Sequence, residues 1–132
     1  MVIAIGKDMA EVTVDGNRIH AKAGAMLGSV AQTAAKSGLS GMEFASGIPG
    51  SIGGAIVMNA GAYDGEMKNI VEKVRVLTKE GKVLDLSCEE LEFGYRMSRV
   101  KKEGFIVLSV TLLLEPKEQT AIYDKMNDFA AR

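Results

Sequence analysis

The chain has 132 residues, which suits one compact domain rather than two. Hydrophobic residues make up 47% and charged residues 25%, a balance that is ordinary for a globular protein and argues against disorder. With 16 basic and 17 acidic side chains the net charge is −1, so the basic excess typical of a nucleic-acid-binding protein is missing. The single cysteine, Cys88, excludes an intrachain disulfide and favours a reducing compartment, so we expect a cytoplasmic protein.

The stretch from Phe44 to Ala62 is 19 residues long without a charged side chain, which is long enough to cross a membrane. It also contains Pro49, Asn59 and five glycines, so it does not predict a continuous apolar helix. The first six residues lack the basic and long apolar regions of a signal peptide. We therefore expect no membrane partner.

The first part of the chain predicts a β-hairpin followed by a helix. Polar and apolar residues alternate from Glu11 to Val14, and the turn signal Asp15-Gly16-Asn17 leads into a second alternating run. Gly38 is expected to end the helix that follows. Its predicted apolar face has the i, i+4 spacing and consists of Met26, Leu27, Val30, Ala31, Ala34 and Ala35.

The last part of the chain predicts more strands and a final helix. Residues 71–78 and 83–86 flank a turn and read as a strand pair. Ser87 and Glu90 fit the capping box of a short helix. The apolar run 105–114 predicts a buried central strand that Pro116 ends. The tail from Gln119 predicts an amphipathic helix whose apolar face carries Ile122, Met126, Phe129 and Ala130.

These elements predict a single α+β domain over residues 1–132, with a largely antiparallel sheet and flanking helices. Both ends interrupt a pattern. Residues 2–5 begin inside a strand-like run, and residues 130–132 stop without a helix-ending signal. We therefore expect the chain to be part of a longer protein.

Glycines concentrate in the middle of the chain, since eight of the 15 lie between Gly38 and Gly65. The densest part, 46–55, reads SGIPGSIGGA and is followed by Asn59-Ala60-Gly61-Ala62-Tyr63. Glycines allow successive backbone N–H groups to face one ligand, and Pro49 stiffens the turn. The spacing matches neither G-x-G-x-x-G nor the P-loop. Spacing alone leaves two interpretations open, a ligand-binding loop and a tightly packed turn.

A second segment, Phe93-Gly94-Tyr95-Arg96-Met97-Ser98, places an arginine beside an aromatic residue and a glycine. The planar guanidinium group of Arg96 matches a carboxylate or a phosphate. Residue types alone favour a solvated Arg96 and a core Tyr95 over a pocket that contains both.

Taken together, the two segments resemble the UDP-N-acetylenolpyruvoylglucosamine reductase (MurB) family. The resemblance rests on 47–55, 58–63 and 93–98 in that order, covers 24–116 well and covers the first 20 residues more weakly. It implies the FAD-binding fold, of the PCMH type, that is shared with vanillyl-alcohol oxidase, with this chain as its second subdomain. Members of the family are bacterial enzymes that use NADPH and FAD to reduce the enolpyruvyl ether of UDP-N-acetylglucosamine in peptidoglycan synthesis, so the resemblance implies a bacterial protein.

The resemblance also implies roles for individual residues. Tyr63, Tyr95 and Arg96 are expected near the substrate. Arg96 matches the family's catalytic arginine, which stabilises the negative charge that hydride addition places beside the substrate carboxylate. No metal site is implied, and His20 and Cys88 have no partner at metal-ligand spacing. The residues expected to line the FAD site are Gly47, Ile48, Pro49, Gly50, Ser51, Gly53, Gly54, Asn59, Gly61 and Ala62.

Other parts of the family pattern are not found in this sequence. Members have an N-terminal subdomain with a second glycine-rich stretch, and a C-terminal domain that supplies a proton-donating serine and a glutamate. We therefore expect a partial FAD-binding domain that binds FAD weakly and has no reductase activity alone. Apolar surface left uncovered in such a domain predicts self-association.

Two other functions remain open at this point. One is a non-catalytic binding module with a flavin-type fold, which would be expected to lose Asn59, Tyr63 and Arg96; the chain has all three. The other is the flavoprotein subunit of another oxidoreductase, such as a molybdenum hydroxylase. The segment 93–98 argues against it, as does the lack of a His or Cys in the glycine-rich loop for covalent flavin attachment.

Overall fold

The computed structural model describes residues 11–62, 65–94 and 97–130, and a five-stranded sheet organises them. Each neighbouring pair of strands is antiparallel, which confirms the predicted α+β class. The apolar run near the end of the chain forms the middle strand, as predicted. In spatial order the strands are β1 (Val12–Asp15), β2 (Arg18–Lys22), β8 (Ile106–Leu113), β6 (Val71–Leu77) and β7 (Val83–Ser87).

Helices and short strand pairs cover one face of this sheet. The helices of the described residues are α1 (Leu27–Lys36), α2 (Ile52–Met58), α3 (Arg99–Glu103) and α4 (Gln119–Ala130). The short strands pair as β3 (Leu39–Ser40) with β9 (Glu115–Pro116) and β4 (Gly61–Ala62) with β5 (Gly65–Glu66). Because α2 packs against β2 and β8, the glycine-rich segment lies directly on the sheet.

Side chains alternate between the two faces of the sheet, as strand geometry requires. Ile19 and Val74 are fully buried beneath the helices, and Val110 is almost so. The opposite face carries charged pairs, such as Arg75 with Asp85 at 2.9 Å. His20 lies on this polar face with its Nδ1 3.1 Å from Oγ1 of Thr111, so it is a strand residue as the sequence indicated.

Turn chemistry explains several of the predicted boundaries. Asp15 pairs with Arg18 across a two-residue turn, in which Gly16 has φ +60°, so the predicted hairpin is confirmed. Helix α1 ends at Lys36, and Gly38 follows in the left-handed region with φ +70°, as expected of a helix-ending glycine. The final helix buries Ile122, Met126 and Phe129 as predicted; the side chain of Ala130 lies outside the described residues.

Four local predictions are wrong. Residues 52–58 form a helix although two glycines lie within it, because packing against the sheet outweighs their low helix propensity. Residues 99–103, for which no element was predicted, form the short helix α3 with Ser98 as its N-cap. The bonds of the Ser87–Glu90 capping box form, but a turn follows them instead of a helix.

Met26, expected on the apolar face of α1, precedes the helix and is 53% exposed. The end of the central strand also differs from the expectation, since β8 ends at Leu113 and Pro116 lies in the separate short strand β9. Proline is tolerated there because β9 is a two-residue edge pairing.

Glu43 is the buried charged side chain of the described residues, with 3% of its surface exposed. Burial raises the pKa of its carboxyl group, but hydrogen bonds donated by Ser40 and Gly41 and the nearby charge of Lys125 outweigh it. The pKa therefore lies below its ordinary value of 4.5. The carboxylate closes the turn between β3 and the 3-10 turn Glu43–Ala45.

We expect Glu43→Gln to lower the free energy of unfolding at neutral pH by about 1–2 kcal/mol, because an ionised acceptor of two hydrogen bonds is lost. A depressed pKa in the folded state stabilises the fold above the ordinary value and loses this effect as the pH falls through the folded value. The difference from the wild type should therefore shrink below about pH 4.5. Urea unfolding across this range measures it, with exposed Glu80→Gln as the control. A difference independent of pH would contradict the assignment.

Candidate functional site

The glycine-rich loop is tied to the start of α1. The amide of Leu27 donates to the carbonyl of Gly50 at 2.9 Å, and that of Ile52 donates to Ala25 at 2.8 Å. These bonds make an isolated antiparallel bridge between Met26 and Ser51. These backbone hydrogen bonds thus fix one side of the loop to the segment that leads into α1.

An open groove of about 630 Å³ lies between this loop and α1. Its lining combines exposed apolar side chains, hydroxyl and amide groups, bare glycine backbone and one cation, Lys36. Such a mixture suits a ligand with both an apolar ring and polar or anionic groups. The lining residues are Met26, Gly28, Ser29, Gln32, Thr33, Lys36, Ser46, Gly47, Ile48, Pro49 and Gly50.

Gly47 and Gly50 have open space where a side chain would stand. A Cβ atom built at either residue meets no other atom within 4 Å. Gly50 also has φ +105°, which L-residues rarely adopt. Within the described part of the chain, the amides of Gly47, Gly50 and Ser51 donate no hydrogen bond. A bare backbone with free donors fits an electron-rich ring edge or a phosphate, so these residues fit FAD.

The next two glycines differ from each other. A Cβ on Gly53 would lie 3.0 Å from the carbonyl oxygen of Ala23 and 3.1 Å from its Cβ, so α2 packs closely on the end of β2. Gly54 is exposed, and its amide donates to Oγ of Ser51 at 3.2 Å, which caps α2. Gly53 therefore has a packing reason that is independent of any ligand.

Gly61 and Gly65 shape the small hairpin of β4 and β5. A Cβ on Gly61 would lie 2.7 Å from the carbonyl oxygen of Gly65, and a Cβ on Gly65 would lie 2.7 Å from the ring of Phe44. The structure therefore gives Gly61 a packing role, whatever it contributes to a cofactor site. Tyr63 lies outside the described residues, as does the side chain of Ala62.

Asn59 joins the two segments that the sequence singled out. It is 5% exposed at the C-terminal end of α2, and its Nδ2 donates to the carbonyl of Gly94 at 3.0 Å. Since the loop 47–51 lies at the other end of this seven-residue helix, the two segments stand about 10 Å apart along it.

The second segment folds back on itself. Gly94 and Met97 exchange backbone hydrogen bonds of 2.9 and 3.2 Å, and Ser98 donates through Oγ to the carbonyl of Val57 at 2.8 Å. Tyr95 and Arg96 lie outside the described residues. Sequence reasoning missed Ser98, although a serine before a short amphipathic stretch was an available N-cap signal.

Other chemistry is not assembled in the described ranges. Burial raises the pKa of the Cys88 thiol, whose Sγ donates to the carbonyl of Lys68 at 3.3 Å, so the group stays protonated near neutral pH. Among residues 11–62, 65–94 and 97–130, no cluster of three or more metal-binding side chains occurs. No helix in the same ranges is both long and apolar enough to cross a membrane.

Comparison with known proteins defines the class of this domain. Residues 1–87 match the family described as FAD binding domain, which covers the hairpin, the glycine-rich loop and the groove. Similar curated proteins include UDP-N-acetylenolpyruvoylglucosamine reductases of Clostridium novyi (strain NT), 44% identical over all 132 residues, and Lactobacillus helveticus (strain DPC 4571), 51% identical over 96% of the chain. The chain spans only 43% and 42% of these two relatives.

A solved structure agrees with the sequence comparison. The UDP-N-acetylenolpyruvylglucosamine reductase (MurB) from Thermus caldophilus superposes with a TM-score of 0.84 at 36% identity. The match covers 96% of this chain and 46% of that one. The chain therefore belongs to the FAD-binding domain family, and the relatives it matches over nearly its whole length are UDP-N-acetylenolpyruvoylglucosamine reductases.

Proposed function

We propose that this chain is the portion of a UDP-N-acetylmuramate dehydrogenase that holds FAD and presents it to an enolpyruvyl UDP-sugar. The observation that carries the proposal is the bare backbone of Gly47 and Gly50, which opens on the groove beside α1 within the region that matches FAD-binding domains. FAD, when bound, supplies the hydride that it has taken from NADPH. FAD, NADPH and UDP-sugars are cytoplasmic metabolites, so we propose a cytoplasmic location for the protein.

The chain's own residues then bind, orient and stabilise charge. Free amides at Gly47, Gly50 and Ser51 offer hydrogen bonds to the cofactor, and the apolar side chains of Met26 and Ile48 offer contact area. Arg96 is proposed to stabilise the charge that develops beside the substrate carboxylate, a role that typically accounts for about 3–4 kcal/mol of barrier. Tyr63 and Tyr95 are proposed to line the substrate side.

We also propose that the chain is a partial domain of such an enzyme. It spans less than half of the matched relatives, so further cofactor and substrate contacts are expected from other parts of a complete reductase. FAD binding to the chain alone should therefore be saturable but weak. Self-association also stays a prediction, supported by exposed apolar side chains such as Met26 and Val83.

A titration of FAD with the purified chain, followed by flavin fluorescence, tests the proposed site. We expect Gly47→Val to weaken FAD binding about tenfold or more, because its side chain fills space that the ligand would occupy. The same substitution meets no protein atom near its Cβ, so the unfolding midpoint should stay unchanged.

The matched control is Thr13→Val at an exposed position of β1, which introduces the same residue outside the lining of the groove. It should leave both FAD affinity and stability unchanged. Equal FAD affinity in the wild type and Gly47→Val would place the cofactor elsewhere. An absence of any saturable binding would show that this chain does not hold flavin by itself.

A further inference from the structure

Asn59 has an unusual backbone conformation. It caps the C-terminal end of α2 with φ 47° and ψ 54°, in the left-handed region. Asparagine is among the few residues other than glycine that adopt this conformation readily. Helix capping would therefore suffice to explain an asparagine or a glycine here, but not the burial of its side chain to 5% exposure.

Both ends of the Asn59 side-chain amide form hydrogen bonds with other parts of the protein. Its Nδ2 donates to the carbonyl of Gly94 at 3.0 Å, and its Oδ1 accepts from the amide of Lys68 at 2.9 Å. Lys68 belongs to the 3-10 turn Met67–Asn69, which directly follows the β4–β5 hairpin. One side chain thus links the end of α2 to two other segments, whose bonded residues lie 9 and 35 positions further along the chain.

These two segments are the ones that flank the proposed substrate residues. Tyr63 stands between β4 and β5 in the sequence, and Tyr95 and Arg96 stand between Gly94 and Met97. On the far side of the second turn, Ser98 bonds to the carbonyl of Val57 in α2 at 2.8 Å. One hydrogen bond therefore fixes each side of this turn to α2: Asn59 holds Gly94, and Ser98 holds on to Val57.

We propose that Asn59 is a positioning residue, which holds Gly94 and Met97, the described residues on either side of Tyr95 and Arg96 in the sequence, in register with the flavin loop at the other end of α2. This inference rests on the proposed function, because it concerns the same site. It differs from the direct cofactor contact expected of Asn59, because the bonds of its side-chain amide run to Gly94 and Lys68.

A tryptophan at position 95 reports on the turn, because the chain has no other tryptophan. In the Tyr95→Trp background, FAD is titrated while flavin and tryptophan emission are followed separately. Asn59→Gly keeps the left-handed backbone and removes both side-chain bonds. Asn17→Gly is the control, because it makes the same substitution at an exposed position of the turn between β1 and β2.

In Asn59→Gly, FAD affinity should stay within about twofold, while tryptophan quenching per bound flavin falls by about half because the turn is no longer fixed. The control should change neither. Unchanged quenching in Asn59→Gly would overturn the proposal. A tenfold loss of FAD affinity with quenching per bound flavin intact would also overturn it, because Asn59 would then contact the cofactor.

Hydrogen exchange of the Met97 amide, which donates to Gly94 at 3.2 Å, gives a readout without flavin. It should become about fivefold faster in Asn59→Gly, as expected for the loss of one hydrogen bond at the turn, and should not change in Asn17→Gly. Equal exchange in Asn59→Gly and wild type would reject the positioning role. If no variant binds FAD, the proposed flavin site fails, and this exchange rate alone decides the role of Asn59.

Discussion

Gly61→Ala is expected to lower the free energy of unfolding by about 2–3 kcal/mol, as in other overpacked sites. The added Cβ would lie 2.7 Å from the carbonyl oxygen of Gly65 and 3.0 Å from the Cβ of Glu66. Neither atom belongs to the flexible end of a side chain, so the two strands of the hairpin must move apart. Urea unfolding followed by circular dichroism measures the change.

Gly54→Ala is the matched control, because it makes the same substitution in the same glycine-rich segment. Its Cβ would lie 3.5 Å from Oγ of Ser51, an ordinary contact, and alanine favours the helix over glycine. We expect a stability equal to the wild type or higher by up to about 1 kcal/mol. Equal losses in both variants would mean that the glycines share a general role and that packing in the hairpin does not single out Gly61.

The purified chain is expected to show no oxidation of NADPH that depends on the enolpyruvyl substrate, even with FAD in excess. Hydride transfer requires cofactor, substrate and stabilising groups to be fixed together, and loss of that positioning removes most of the rate enhancement. The chain spans 43% of the Clostridium novyi relative. Most of the groups that fix cofactor and substrate are therefore expected from other parts of a complete reductase.

The assay follows NADPH absorbance, with the Clostridium novyi enzyme measured in parallel as the positive control. A background rate that is independent of the enolpyruvyl substrate does not count as reductase activity. Turnover above that background would show that the chain contains a complete catalytic site. It would also refute the proposal that the chain is a partial domain.

Regular elements were predictable where one local signal dominated. The alternation around Ile19 and the Asp15–Asn17 turn signal predicted the hairpin, and the apolar run 105–114 predicted the middle strand. Helix α2 was not predictable from composition, because Gly53 and Gly54 lower helix propensity while contact with β8 stabilises the helix. Tertiary contacts of this kind leave no periodic trace in a short segment.

The candidate site was predictable in part. Residues 47–50 do border one open groove, but Gly53 and Gly61 have close neighbours within the protein that spacing alone could not reveal. Contact of Asn59 with the cofactor stays a prediction, and spacing could not reveal the bonds of its side chain to Gly94 and Lys68. The roles of Arg96, Tyr63 and Tyr95 stay predictions.

The short helix α2 limits where the chain can accept insertions or deletions. One residue added to a helix shifts everything beyond it by about 1.5 Å and rotates it by about 100°. An insertion within Ile52–Met58 would therefore turn the Asn59 end away from Gly94 while the loop at 47–51 stayed attached to α1. The exposed turn between β6 and β7 has no such linkage, so insertions should accumulate there while the length of α2 stays constant.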